Sequence, residues 1–226
     1  MICKLPYDFF DDLGEDFPLP PPFDDHVLNS NPDCSDSSRI QELSFTNSNS
    51  FAKFLRKNQF SLTTWNTDAI CTRTPERHAC KFNFLKSFVK TSLVTCLQET
   101  HDDGVILKKA FAEDAELADF SVYSSPFSAS AMGVATVFHK KLLVGCLFQD
   151  TLNILEGQII LTYFEYEEYT LFVVNAYFSP NVDFPTSTAN VQTLIRAVRD
   201  FRRSYHVPVY GFLGGDFSWD SDIADR

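Results

Sequence analysis

Glycine is scarce in this 226-residue chain, with 8 copies, and methionine and tryptophan appear twice each. So little glycine excludes collagen-like and glycine-rich low-complexity chains. Basic residues are also few: 19 Lys and Arg stand against 30 Asp and Glu, for a net charge of -11. That disfavours a nucleic-acid binder that works through one large basic patch. The six cysteines (Cys3, Cys34, Cys71, Cys80, Cys96, Cys146) never fall in a C-x-x-C pair. They are too few for a disulfide framework at this length and lack zinc-ligand spacing. They read as reduced thiols of an intracellular protein, nuclear or cytoplasmic. No basic segment followed by an apolar run opens the chain, so no signal peptide is visible. The longest uncharged stretch, Phe120 to His139, is broken by Ser, Pro and Gly and does not read as a membrane span. No membrane partner is expected.

What is abundant is phenylalanine, with 23 copies, and acid at the N-terminal end. Residues 1–50 hold two basic and ten acidic side chains, set among prolines, serines and asparagines. Such a stretch buries too little apolar surface to offset the entropy of ordering it. It is expected to be a disordered leader, with acid–aromatic alternation that suits a protein partner. The remaining 176 residues are nearly neutral. Carboxylates in that part suit a metal-dependent site acting on phosphates, because they recruit the cation that faces the anion.

From about Gln59 short apolar runs alternate with helical periods. Strands are expected at Phe60–Trp65, Leu93–Leu97, Phe120–Tyr123, Val134–Phe138, Leu142–Phe148, Gln158–Phe164, Tyr169–Phe178 and Val209–Leu213. Helices are expected at Ser48–Arg56, Cys80–Lys90, Val105–Leu117 and Ala189–Tyr205, the last carrying an apolar stripe through Val191, Leu194, Ile195, Val198 and Phe201. The two runs either side of Glu165–Glu168 read as a hairpin apolar on both faces, which needs cover on both sides. The order of elements implies a mixed-sheet α/β sandwich.

The motifs of P-loop, dinucleotide-binding, serine-hydrolase and HExxH zinc-protease sites are missing. What remains is polar residues at the ends of apolar strands. Asn66 and Asp68 close one run, Gln98 and Glu99 another, Asn175 and Tyr177 share a strand face by the two-residue period, and Asp216 follows Gly214 and Gly215. Taken singly, each has the ordinary reading of a polar strand end or turn. Four such ends in one domain point to carboxylates and amides meeting at one sheet edge, where open α/β sheets build their sites.

Taken in order, Trp65-Asn66-x-Asp68, Leu97-Gln98-Glu99-Thr100, Gly133-Val134-Ala135, Asn175-x-Tyr177 with Pro180-Asn181, and Gly215-Asp216-Phe217 resemble the exonuclease–endonuclease–phosphatase family, also called DNase I-like. Within it they look most like apurinic-endonuclease-type nucleases and the endonuclease domains that accompany reverse transcriptase in non-LTR retrotransposons. The resemblance runs from Gln59 to the C-terminus. It implies a four-layered α/β sandwich of two mixed sheets flanked by helices, spanning residues 59–226, and Mg2+-dependent (or Mn2+-dependent) hydrolysis of phosphodiesters, with DNA as the partner. It also implies roles. Glu99 is the principal metal ligand with Asp68 near the metal. Asn66 orients the base, Asp216 activates the attacking water, and Tyr177 stabilises the phosphate oxygens with Asn175 supporting them. His101 and Asn181 contact the substrate backbone. Three departures stand against the family's pattern. Ser218 replaces an Asn, Tyr177 and Pro180-Asn181 are one residue further apart, and the closing strand with its Asp-His pair does not follow before Arg226. The expectation from the resemblance is therefore a domain incomplete at its C-terminus and impaired in catalysis. Two other functions stay open at this point: a phosphatase or phosphodiesterase of the same fold on lipid, inositol-phosphate or RNA substrates, and a non-catalytic interaction protein.

Overall fold

The computed structural model describes residues 60–71, 75–127 and 132–217. The expected leader at 1–50, the helix at Ser48–Arg56, and Ser218 lie outside the described residues. Eight strands, β1 (Leu62–Asn66), β2 (Val94–Gln98), β3 (Phe120–Ser125), β4 (Val134–His139), β5 (Phe148–Leu155), β6 (Ile159–Glu165), β7 (Thr170–Tyr177) and β8 (Val209–Asp216), form two four-stranded sheets. The first runs β1-β2-β4-β3 with β1 and β2 parallel; the second runs β5-β6-β7-β8 with β7 and β8 parallel. The remaining neighbours are antiparallel. Both sheets are therefore mixed, as expected.

The two-residue period explains the layers. Leu161, Tyr163, Phe172 and Val174 face outward and pack on Leu194, Val198 and Phe201 of α3 (Phe184–Arg203). Phe164, Leu171 and Val173 point the other way, onto Leu62, Val94, Cys96 and Phe138 of the first sheet. The first sheet's other face, with Leu97, Ala135 and Val137, is covered by Phe82, Leu85 and Val89 of α1 (Pro75–Val89) and by Leu107 and Phe111 of α2 (Ile106–Glu113). The result is four layers: helices, sheet, sheet, helix. Strands apolar on both faces follow directly from this double cover. Among the described residues no helix is long and apolar enough to cross a membrane.

Three expected boundaries are corrected, the first being that of α1, which begins at Pro75, five residues before the expected Cys80. Leu142–Phe148 is not a strand: a 3-10 turn spans Lys140–Leu143, Gly145 takes a positive φ of 75°, and β5 starts only at Phe148. β5 is an edge strand whose inner face is polar. Gln149 accepts from the Tyr123 hydroxyl and Asn153 from the Ser125 hydroxyl, both at 3.0 Å, so the strand carries no apolar run to be read. The last helix begins at Phe184, five residues before its expected start, because Asp183 caps it through the Thr186 amide at 2.8 Å.

Asp102 anchors α2. Its Oδ1 accepts from the amides of Ile106 (3.1 Å) and Leu107 (3.3 Å), the side chain is wholly buried, and Oδ2 has no partner among the described residues. Burial raises its pKa against the pull of those amides. A raised carboxyl pKa contributes stability below the unfolded value and loses it as pH climbs through the folded one. Asp102→Asn keeps an acceptor for the helix and removes the charge. It is expected to raise Tm at pH 8 by about 2–4 °C, roughly the effect of 1 kcal/mol on a domain this size. Melts at falling pH should show that advantage shrinking; a loss of Tm at pH 8 that shrinks on acidification would mean the ionised cap is favourable.

Candidate active site

Because β1 and β2 run parallel, and β7 and β8 likewise, their C-terminal ends carry Asn66, Glu99, Tyr177 and Asp216 to one end of the sandwich. Asn66 sits opposite Gln98 in the first sheet, and Tyr177 opposite Asp216 in the second. Two glycines let β8 come close enough. A Cβ on Gly214 would lie 2.9 Å from the Cys96 Sγ of the facing sheet, and one on Gly215 would lie 2.1 Å from the Ala176 carbonyl oxygen. Only a residue without Cβ fits either place. Asp216 is thereby delivered to within reach of the first sheet.

The Asn66 amide joins the two carboxylates. Its Nδ2 donates to Asp216 Oδ2 at 2.7 Å and to Glu99 Oε1 at 3.3 Å. The Tyr177 hydroxyl donates to the same Glu99 oxygen. Four residues from four strands thus form one hydrogen-bonded group. Glu99 stands in the left-handed region at φ 51°, as do Asp68 at 45° and Ala69 at 64°. Backbone strain of this kind gathers at functional sites and needs surrounding structure to hold it. Tyr177 packs on Val134 and Ile160. Burial, and then the hydrogen bond and charge of Glu99, push its pKa well above the ordinary tyrosine value. The phenol therefore keeps its proton and serves as a donor.

The other expected site residues stand elsewhere. Asp68 accepts from Arg77 at 2.5 Å and from Lys81 at 3.4 Å, so its carboxylate is engaged by α1. Its role beside a metal is not what these contacts provide. Asn175 lies beneath the site with its side chain fully buried. Its Nδ2 donates to the Leu97 and Ala135 carbonyls at 3.1 and 2.9 Å, and its Oδ1 accepts from Gln98 at 2.7 Å. Both of its N–H donors are spent on linking the sheets, and its side chain lies below the group around Glu99. The His101 ring makes no hydrogen bond among the described residues; its backbone amide donates to Met132 at 2.9 Å. Asn181 is exposed in the turn after β7, where its amide meets the Ser179 hydroxyl at 3.3 Å. Neither joins the group around Glu99. Arg77 and Lys81 are not anticipated by the sequence, and Gln98 is anticipated only as a polar strand end in the Glu99 motif. A glutamine inside an apolar strand, and two cations four residues apart on one helix, were the available signals.

The fit to a divalent cation follows from the donor set. Among the described residues no three or more His, Cys, Asp or Glu side chains cluster as a ready-made cage. Mg2+ does not need one: it keeps several waters and binds through one or two carboxylates plus substrate phosphate. Both hydrogen bonds to Glu99 arrive at Oε1, and Oε2 is unengaged among the described residues.

No protein-family model and no curated protein sequence matches the chain. The fold does have solved counterparts, and it is DNase I-like. TDP2 from Caenorhabditis elegans is similar at a TM-score of 0.50 and 15% identity, over 72% of this chain and 49% of that one. The AP endonuclease LMAP from Leishmania major is similar at 0.49 and 18% identity, over 70% and 54%. The endonuclease domain of TRAS1, a telomere-specific non-LTR retrotransposon, is similar at 0.45 and 12% identity, over 72% and 62%. The chain spans about half the length of the first two.

Scaffold and chemistry are separable here. Asn175→Ala strands the Gln98 amide and should cost on the order of 3 kcal/mol, which is about 6–12 °C in Tm. Tyr177→Phe removes one hydroxyl and should move Tm by less than about 3 °C. Thermal melts of the two variants check this, and equal losses would show that Tyr177 is a structural residue.

Proposed function

We propose that this chain is a metal-dependent phosphodiesterase, with DNA as substrate and Mg2+ or Mn2+ as the cation. The observation that supports it is the Asn66 amide shared between Glu99 and Asp216, with the Tyr177 phenol on the same Glu99 oxygen. A structural ion network would pair carboxylates with lysine or arginine. Among the described residues Glu99 is held by neutral donors only, the Asn66 amide and the Tyr177 phenol, which leaves its negative charge to attract a cation.

Glu99 would hold the cation, and the bound cation would polarise a phosphoryl oxygen and offset charge developing there. Asp216, aligned by Asn66 at 2.7 Å, orients a water and takes its proton as the water oxygen bonds to phosphorus and the ester oxygen leaves. Tyr177, held protonated, donates to oxygen as negative charge builds. Asn175 acts from below by fixing the spacing of the sheets. Ser218 follows Asp216 by two residues and, with His101 and Asn181, is assigned to the flanking substrate.

The ordered motifs resemble the endonuclease domains of retroelements, and we place the protein's role there, in the nucleus or cytoplasm. Free thiols at Cys71, Cys80, Cys96 and Cys146 accord with a reducing compartment. The acidic leader is assigned to a protein partner.

Supercoiled plasmid in Mg2+ is expected to be nicked slowly, and chelation should stop it. Glu99→Gln and Asp216→Asn should each lower the rate by about 10^2-fold or more, the usual cost of one such transition-state contact, with the thermal melt nearly unchanged. Nicking that survives Glu99→Gln would put the chemistry on other residues.

A further inference from the structure

Lys81 lies outside the group around Glu99, yet its ammonium is aimed at the loop that supports it. It projects from α1, and its side chain is only 17% exposed. Nζ donates to the carbonyl oxygen of Thr67 at 2.7 Å and to that of Asp68, and approaches Asp68 Oδ2 at 3.4 Å. These carbonyls belong to the turn that leaves β1 just after Asn66, where Asp68 and Ala69 both hold positive φ.

The turn is zipped to the loop that carries Glu99. The Thr67 amide donates to the Gln98 carbonyl at 2.8 Å, that of Ala69 to the Glu99 carbonyl at 2.8 Å, and that of Cys71 to the Thr100 carbonyl at 3.1 Å. The buried Thr67 hydroxyl adds bonds to the Gln98 and Glu99 carbonyls, both at 2.9 Å. The turn's amides therefore face Glu99 and its carbonyls face Lys81. Two strained stretches of backbone lie side by side, and a single cation closes the outer side of the pair. Non-glycine residues at positive φ hold that conformation only when their surroundings over-determine it. Lys81 supplies one of those restraints, at the carbonyls of Thr67 and Asp68, beside His78 at the Ile70 carbonyl.

We infer that Lys81 is a positioning residue, whose ammonium clamps the 67–69 turn against the Glu99 loop and so fixes the Glu99 carboxylate and the Asn66 amide for metal binding. The inference rests on the reading of Glu99 as the metal-holding carboxylate. Arg77 does not share the role, because its bond to Asp68 is made at the exposed carboxylate and touches no backbone carbonyl.

Two readouts on the 226-residue chain test it. The first is hydrogen exchange at the amides of Ala69 and Cys71, with Val173 as a core reference. The second is Mn2+ binding by electron paramagnetic resonance, with Glu99→Gln as the control. Lys81→Met is expected to speed exchange at Ala69 and Cys71 by about 10-fold, leave Val173 unchanged, and weaken Mn2+ binding by about 10-fold, the equivalent of 1.4 kcal/mol. Lys81→Arg, which can still reach the carbonyls, should recover most of both. Faster exchange with unchanged Mn2+ binding would overturn the inference and leave Lys81 a structural residue; so would no change in either readout. Mn2+ binding that Glu99→Gln leaves intact, or that the native chain lacks, would instead overturn the reading of the site, whatever Lys81 does to exchange. Should Lys81→Met be unfolded at the assay temperature, Lys81→Gln, which keeps a neutral donor, carries the same comparison.

Discussion

Gln98 stands at the last position of β2 with its amide between the two sheets. It donates to Asn175 of β7 at 2.7 Å and accepts from Thr64 of β1 at 3.0 Å, and Thr64 also reaches the Gly215 carbonyl of β8 at 3.3 Å. Asn175 completes the relay by donating to carbonyls of β2 and β4. Five strands from two sheets meet in this one buried polar network. Apolar packing alone holds sheets about 10 Å apart without fixing how far one slides over the other. Directional bonds do fix it, because a slip of one residue would leave several amide groups buried and unpartnered, at about 1–3 kcal/mol each. The carboxylates above the network inherit that registration. Glu99 and Asp216 can share one Asn66 amide only because the layer beneath them permits a single alignment.

The site is acidic by construction, and its neighbours respect that. Donors to Glu99 are an amide and a phenol, whereas the two nearby cations of α1 are spent on Asp68 and on backbone. Had Arg77 or Lys81 reached Glu99, the pair would have neutralised the charge that a divalent ion requires. Asp68 therefore shields Glu99 from its own cations as much as it contributes charge. The overall deficit of basic residues has the same sense: under the proposed function, phosphate would be attracted by a bound ion and by helix and backbone dipoles rather than by a basic patch.

Much of this was legible in the sequence, and the failures have physical causes. Asn66, Glu99, Tyr177 and Asp216 could be placed because each directly follows or ends an apolar strand, and parallel pairing then gathers strand ends at one edge. The two-residue period correctly put Asn175 on the same face as Tyr177. It cannot report depth, and one step further from the strand end, the side chain is sealed between the sheets. The pairing of Asp68 with Arg77 and Lys81 was not legible, because a left-handed turn follows Asn66 and side-chain direction after such a turn is not periodic. β5 escaped because an edge strand with polar inner partners has no apolar signature. The early start of α3 was written in Asp183 and Pro185, a cap and a proline in the first turn, and was missed by following the apolar stripe alone.

The proposed chemistry requires that Glu99 and Asp216 share a cation-attracting site joined by Asn66. Anomalous scattering from crystals of the chain soaked in Mn2+ tests it most directly. A peak is expected in direct contact with Glu99, on the side toward Asp216 and within the reach of Tyr177. A peak on Asp68 with nothing beside Glu99, or no peak at this end of the sandwich at saturating Mn2+, would contradict it.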